Sequence, residues 1–454
     1  MKKNKYEIDM CNGTIMDKLI SFSIPLMLSG ILQLMFNAVD IVVVGRFSGS
    51  QALAAVGSTT ALINVFTNLF IGISLGANVL AARYYATGKT KEMSETVHTA
   101  IALALVSGVA MAVIGVVFAR GALEIMGTPD DVIAKSTLYM RIYFCGMPFF
   151  MMYNYGAAIL RAVGDTKRPL IFLIVSGVIN AVLNLFLVIG FHLDVAGVGI
   201  ATVISQLVSC ILVLRCLHHT ESSYQLHLAK LRIRSVYLKQ IFEVGVPAGI
   251  QSTVINISNA MLQSSVNSFG SIAMAGYTAS NNIFGFLYVS VNSFTQACMS
   301  FTSQNYGVKK LKRMDRVLID CMILSVVVTL ILGSSVYIFG PELLHIYSNQ
   351  ADVIKYGMEI FSYTTVTYFL CGLMDLFPGA LRGMGYSTVP MILSIIGTVG
   401  VRIIWIYGLF PSHRSLTFLF LSYPVSWIAT IIMQVICFWF VREKIHRTMV
   451  IAAE

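Results

Sequence analysis

Residues Leu160–Pro169 read LRAVGDTKRP, and residues Leu381–Pro390 read LRGMGYSTVP. One skeleton, Leu-Arg-x-x-Gly-x-x-x-x-Pro, thus occurs twice; Arg161 and Arg382, Gly164 and Gly385, and Pro169 and Pro390 all keep one constant offset in numbering, 221. The same offset joins DDVI at Asp130–Ile133 to ADVI at Ala351–Ile354, Leu123 to Leu344, Gly49 to Gly270 and Tyr85 to Tyr306. Pro25 and Pro247, and Phe47 and Phe269, keep an offset of 222, so one residue was gained or lost near Gly49. A register held over most of the chain marks an internal duplication. In the motif, glycine permits the turn and proline opens the next helix. Arg161 and Arg382 then read as topology anchors and loop clamps at cytoplasmic helix ends.

Composition says what is duplicated. Hydrophobic residues make up 57% of the 454 residues and charged residues 11%, where soluble domains carry roughly 25% charged. A helix needs about 20 mostly apolar residues to cross hydrocarbon. Twelve such stretches are expected, at 18–45, 52–82, 95–119, 132–160, 169–191, 195–217, 238–268, 274–303, 316–339, 353–381, 388–410 and 415–441. The fold class is therefore an all-α polytopic membrane protein, two six-helix repeats with a central cleft. We expect an N-lobe over residues 1–217, a cytoplasmic linker over 218–237 and a C-lobe over 238–454. The N-terminal segment is polar and has no signal-peptide core. The eight cysteines include no Cys-x-x-Cys pair and read as small apolar residues.

Basic residues orient the chain. With both termini cytoplasmic, 24 of the 31 Lys and Arg fall on the cytoplasmic side and five on the other, with Arg141 and Arg402 inside spans. That bias is the positive-inside pattern; the expected location is a plasma membrane. The same bias also accounts for the net charge of +10 without nucleic acid. An even number of spans per repeat makes the repeats parallel, an arrangement typical of transporters. Arg141 and Arg402 are expected to snorkel or to pair with carbonyls.

Charged side chains in mid-membrane usually mark an ion or substrate path. Asp40, in QLMFNAVDIVVV, and Asp375, in CGLMDLFPG, are the two carboxylates of this kind. Gln33, Asn37 and Asp40 are spaced by four and three, so they share a helix face. A carboxyl held in hydrocarbon can take up and release a proton as its access alternates; with amide oxygens beside it, it can instead hold Na⁺. Ser176, Asn180 and Asn184 form a polar stripe on the fifth span, and Thr202 lies on the sixth. On the seventh, Ser252, Asn256, Asn259, Gln263 and Asn267 form another. Hydrogen bonding between helices explains such stripes equally well. Asn281, Asn292 and Gln296 lie on the eighth span; on the tenth, Thr364, Tyr368, Cys371 and Asp375 share a face.

IPLMLSGILQLMFNAVDIVVVGRFSGSQALAAVG, LRAVGDTKRPLIFLIVSGVINAVLN, AGVGIATVISQ and CGLMDLFPGALRGMGYSTVP carry a resemblance to the multidrug and toxic compound extrusion (MATE) family, and within it to a NorM-like bacterial branch. The resemblance runs nearly end to end. It implies a secondary antiporter that exports amphipathic, often cationic compounds in exchange for H⁺ or Na⁺ by alternating access. It also implies that Asp40 is supported by Asn180, Asn184 and Thr202, with Na⁺ held at Asp40, Asn180 and Asn184 if that is the coupling ion. Some branches carry Asp where this chain has Asn184. The branch pairs its tenth-helix acid with a Glu on the seventh helix; here that position falls near Ile255, which leaves Asp375 to a proton or a cationic substrate. Gln33, Asn37, Asn154, Asn256, Asn259, Gln263 and Asn292 are the candidate cleft residues.

Aromatic faces attract organic cations, and methionine adapts to varied shapes; the chain has 27 Phe, 20 Tyr and 23 Met, though ordinary packing uses most of them. No Walker-type loop is present, so no nucleotide and no other cofactor is expected beyond the coupling ion. The histidines lie at helix ends or in loops, which argues against a membrane-embedded enzyme. A channel suits tandem bundles with isolated carboxylates less well than a carrier. The alternative is a flippase for lipid-linked oligosaccharides, which would need several cations facing the cleft. Partners are then small amphipathic solutes and the bilayer, and the protein is expected to act as a monomer. A C-terminal green fluorescent protein fusion should fluoresce while a C-terminal alkaline phosphatase fusion stays inactive; an active phosphatase would reverse the orientation.

Overall fold

The computed structural model describes residues 5–451. In the first half the helices are α1 (Met16–Phe47), α2 (Ser50–Ala86), α3 (Thr90–Ile125), α4 (Asp130–Cys145), α5 (Met147–Ala162), α6 (Lys167–Leu185) and α7 (Asp194–His218). The second half has α8 (Ser235–Asn267), α9 (Ser271–Gly307), α10 (Leu311–Ile338), α11 (Gly340–His345), α12 (Ala351–Thr364), α13 (Tyr368–Gly383), α14 (Thr388–Ser394), α15 (Val401–Ile404), α16 (Leu416–Phe420) and α17 (Ser422–Ile451). The duplication is visible in these bounds. The first residues of α2 and α9, α3 and α10, α4 and α12, α5 and α13, and α6 and α14 all keep the offset of the repeated motif.

Among the described residues the helices group into twelve membrane segments. Length and apolarity alone pick out eight single helices, and a ninth segment from α12 and α13, which bend by 52° at a short break. The remaining three are the α4–α5 pair, α8 and α9. α4 and α5 are each only 16 residues long, too short to span singly, whereas α8 and α9 are long enough but less apolar, because they carry the Asn and Gln stripe of α8 and Asn281, Asn292 and Gln296 of α9.

The chain folds as two compact units, one of residues 5–8 and Leu28–Gly249, the other of Asp9–Met27 and residues 250–451. The boundaries fall inside α1 and α8. Both helices contain a proline, Pro25 and Pro247, and each changes unit just beyond it. Proline removes a backbone hydrogen bond and loosens a helix at that point.

In the first unit α3 and α2 pack on α5 and α4, and α6 on α7. Two glycine pairs let α2 and the first half of α8 meet backbone to backbone. A Cβ on Gly72 would lie 2.2 Å from the Gly249 Cα, and one on Gly76 would lie 2.1 Å from the Ile241 carbonyl oxygen. Gly72 and Gly76, like Gly245 and Gly249, are spaced by four, the small-residue spacing that lets membrane helices approach closely. In the second unit α13 packs on α9, α10 and α17. Outer faces are apolar and exposed, as at Val113, Val117 and Phe118 of α3 and Val178 and Val182 of α6; hydrocarbon is the solvent that accepts such a surface.

The repeated motif makes equivalent corners with different chemistry. Gly164 and Gly385 both adopt φ of 95°, and Pro169 and Pro390 sit in the first turns of α6 and α14. In the first corner buried Asp165 pairs with the guanidinium of Arg168, which donates through Nη2 to the Tyr224 hydroxyl at 3.4 Å. Tyr224 and Tyr85 in turn donate to the Glu7 carboxylate at 2.6 and 2.7 Å. Burial pushes the Asp165 carboxyl up, against the pull of Arg168. The second corner has Tyr386 and Val389 at the corresponding places and cannot form this pair. The loop clamp is therefore Arg168 and not Arg161.

Gly164 also receives Ile8, whose backbone NH donates to the Gly164 carbonyl at 3.4 Å. A Cβ there would lie 2.5 Å from the Ile8 oxygen, whereas Gly88, also at positive φ, has nothing within 4 Å. Gly164→Ala should cost about 1–3 kcal/mol and Gly88→Ala about 1–2 kcal/mol from strain alone. Thermal melting in detergent should give Gly164→Ala the larger loss; equal losses would remove the steric argument.

Candidate functional site

The first-unit site forms where α1 crosses α6. Gly177 of α6 makes the approach possible, because a Cβ there would overlap the Phe36 ring at 1.6 Å. One turn further along α1, Asp40 enters the unit and is 8% exposed. The amide nitrogen of Asn184 donates to Asp40 Oδ1, and its second hydrogen goes to Asn180 Oδ1 at 3.2 Å. The Thr202 hydroxyl lies 3.4 Å from Asp40 Oδ2 and 3.0 Å from the Val198 carbonyl oxygen of its own helix. The structure thus brings together Asp40, Asn180, Asn184 and Thr202. No cation pairs with Asp40 among the described residues, so its charge is answered only by neutral donors. Asn184 Oδ1 is buried without a hydrogen-bond partner among the described residues, which leaves an oxygen available beside the carboxylate.

Gln33 and Asn37 do not join this cluster. Both are exposed, although helical spacing places them on the face of Asp40. The difference is height: Asn37 lies about one turn and Gln33 about two turns away along the axis, and the polar residues of α6 and α7 meet α1 only at Asp40. Asn154 is spent locally, donating to the Phe150 carbonyl at 2.8 Å. Two residues that the sequence reading missed, Tyr139 and Tyr143 of α4, stand within electrostatic range of Asp40. Their separation of four along α4 was the available signal.

Asp375 on α13 accepts a hydrogen bond from Tyr288 of α9 and feels the charge of Arg382. Arg382 corrects the sequence reading. It is buried and donates through Nη2 to Gln251 Oε1 at 2.6 Å. Its helix-end position in the sequence suggested an anchor; α13 instead turns it inward, two turns from Asp375, where the acid compensates its charge. Asn292 accepts from Gln296 at 2.5 Å. Asn256 and Gln263 are exposed on α8.

Arg402 is a second correction. It neither snorkels nor pairs with carbonyls. It is 3% exposed and donates through Nη1 to Asn259 Oδ1 at 2.8 Å and through Nε to Ser426 Oγ at 3.3 Å. Asn259, a cleft candidate by sequence, is thereby committed to Arg402. Arg141 does pair with a carbonyl, that of Val116 at 3.1 Å.

A family model, MatE, matches residues 25–186 and 247–407, one match in each half. A protein of Bacillus subtilis strain 168, "Probable multidrug resistance protein YoeA", is 29% identical over 389 residues, 84% of each chain. "Multidrug export protein MepA" of Staphylococcus saprophyticus is 23% identical over 88% of each chain. Among solved structures, an outward-facing multidrug resistance MATE family transporter of the MOP superfamily has a TM-score of 0.88 at 19% identity, over 98% of this chain and 99% of that one. A MOP superfamily transporter from Pyrococcus furiosus has a TM-score of 0.89 at 20% identity, over the same shares.

Asn184→Leu removes both amide donors and leaves a carboxylate and Asn180 without them. It should cost about 1–3 kcal/mol of stability, read as a lower melting temperature in detergent. Asn37→Leu, outside the cluster, should change melting little; similar losses for both variants would contradict the assignment.

Proposed function

The chain belongs to the MatE family, a family of membrane transporters, and from that premise we propose that it is a secondary antiporter that expels amphipathic, often cationic compounds. The observation that carries the reading is Asp40: a carboxylate in a membrane span, buried, and held by neutral donors alone. A carboxylate paired with arginine would be locked in its charged form. One answered by amide and hydroxyl groups can exchange its counter-ion.

The Thr202 hydroxyl has one proton and two candidate acceptors, Asp40 Oδ2 and the Val198 oxygen. A charged Asp40 draws that proton from Val198. A protonated Asp40 can donate to the Thr202 oxygen, and the hydroxyl then serves Val198. The cluster thus accommodates both states with a single hydroxyl rotation. For Na⁺, the carboxylate, Asn180 Oδ1, Asn184 Oδ1 and the Thr202 oxygen supply the hard oxygen set such a cation requires. Asp375 differs, because Arg382 already compensates its charge. We therefore assign coupling to Asp40 and a supporting role to Asp375.

Access to the coupling site would alternate between the two sides of the membrane. One net charge crossing 100 mV is worth about 2.3 kcal/mol, which sustains roughly a fiftyfold gradient of a neutral solute exchanged one for one; a monocationic solute exchanged one for one is driven by the ion's concentration gradient alone. The names of the relatives, multidrug resistance and export proteins, support the export direction. The protein would reside in the plasma membrane with both termini cytoplasmic and act as a monomer.

Reconstituted protein should drive uphill movement of ethidium under an imposed ΔpH or an imposed Na⁺ gradient, but not without either. Whichever gradient works alone identifies the ion. Asp40→Asn should insert and melt near normally yet abolish accumulation. Wild-type export by that variant would remove Asp40 from the coupling site, and export without any gradient would overturn antiport.

A further inference from the structure

The buried charge that the coupling cluster does not use is Arg402. It lies in the span Thr388–Ser412, on the short α15 turn between two π-helical turns, Ile395–Gly400 and Trp405–Leu409. π turns recur at functional sites, where they re-aim side chains at a cost in backbone bonding. Everything that touches the guanidinium is neutral. Asn259 and Ser426 accept from it, Ser258 Oγ lies 3.5 Å from Nη1, and the Tyr423 ring lies beneath it at 4.7 Å from Cζ. The groups that perturb its charge are Tyr423, Tyr277 and Cys371, with no carboxylate among them. Nη2 has no hydrogen-bond partner among the described residues. Arg382, the other buried arginine of this unit, feels the charge of Asp375; Arg402 has nothing of opposite sign beside it among the described residues. Burying an uncompensated cation costs several kcal/mol, more than two hydroxyls and an amide restore.

The repeat supplies an independent observation. At the motif's offset, Tyr423 and Ser426 correspond to Thr202 and Ser205. Asn259 corresponds to Asn37 at the offset of 222 that the helices carrying Pro25 and Pro247 share. Arg402 itself corresponds to Ala181, on the helix that carries Asn180 and Asn184. The Arg402 cluster is therefore built on the second repeat's counterparts of the helices that hold Asp40, with Tyr423 at the place of Thr202 and Leu262 at the place of Asp40 itself.

We infer that Arg402 is the recognition element of an anion subsite in the second unit, taking an oxyanion group such as a carboxylate, phosphate or sulfonate. A guanidinium edge matches two such oxygens at once. The carrier is an amphipathic solute or an anionic lipid. The inference extends the export reading to solutes that bear an oxyanion, but the site itself is tested by binding alone.

The test uses the full chain in phosphatidylcholine nanodiscs, with fluorescence anisotropy of rhodamine B, which has a free carboxylate, and of its ethyl ester, which has none. The acid should bind about tenfold more tightly than the ester. Arg402→Gln should erase that preference while leaving ester affinity unchanged. Nanodiscs with phosphatidylglycerol separate the sources. If lipid is the occupant, the anionic lipid should weaken acid binding, and Arg402→Gln should abolish the effect; if solute is, the lipid should make no difference. Should Arg402→Gln not fold, Ser426→Ala keeps the charge and frees a donor, so the preference should hold or grow. No preference in the unaltered chain, its survival in Arg402→Gln, or its loss in Ser426→Ala overturns the assignment. Gradient-independent ethidium export would refute the antiporter and leave this binding result standing.

Discussion

A carboxylate cannot be kept in hydrocarbon without something to answer its charge, and the choice of what answers it governs this molecule. In the first unit the answer is neutral: an asparagine amide and a threonine hydroxyl from two neighbouring helices. Neutral donors stabilise an anion without fixing it, so a proton or a sodium ion can still compete for the same oxygens. In the second unit the answer to Asp375 is Arg382, a full opposite charge on the same helix. That charge acts from two turns away rather than in a direct ion pair, and it offsets part of the cost of burying the acid. The two acids look alike in the sequence, each alone in an apolar run, yet their surroundings give them different work.

Such a site requires helices that meet closely at the right height. The interior achieves this with glycine. Gly177 admits the Phe36 ring and so seats α1 against α6 one turn before Asp40. Gly72 and Gly76 face Gly245 and Gly249, so α2 and the start of α8 touch along their backbones. There is no hydrophobic gain in driving one apolar helix against another within lipid; close backbone approach and dispersion must hold them. Larger residues at these places would lift the helices apart and take the donors out of reach of the acid.

Much of the architecture was legible because duplication leaves a constant offset, and an offset survives when individual residues change. The evenly offset helix starts in the structure repeat what the motif pairs already said. The partners of Asp40 were legible too, through the four-residue spacing of Ser176, Asn180 and Asn184 and the family resemblance. What escaped was everything decided by height and by rotation of a helix about its axis. Gln33 and Asn37 share the direction of Asp40 but not its level. Arg382 stands near a helix end in one dimension and faces inward in three. The glycine pairs of α2 and α8 form a match only once the two helices are seen side by side, since each motif alone is an ordinary small-residue spacing.

The corresponding places in the two repeats show how duplication can diversify chemistry without altering the frame. Thr202, which reaches for an acid, is matched by Tyr423, whose ring underlies a base. Ser205 is matched by Ser426, which accepts from that base. A mutation that put arginine at position 402 would have been expelled from a well-packed apolar helix; here the π turns on either side reshape the backbone around it, and small hydroxyl residues leave room for the guanidinium. An acid on the first helix of one repeat and an arginine on the fifth span of the other place opposite charges on related helices, each buried within its own unit. Each charge is answered by the neutral groups of its own unit, so neither has to neutralise the other for the fold to stand.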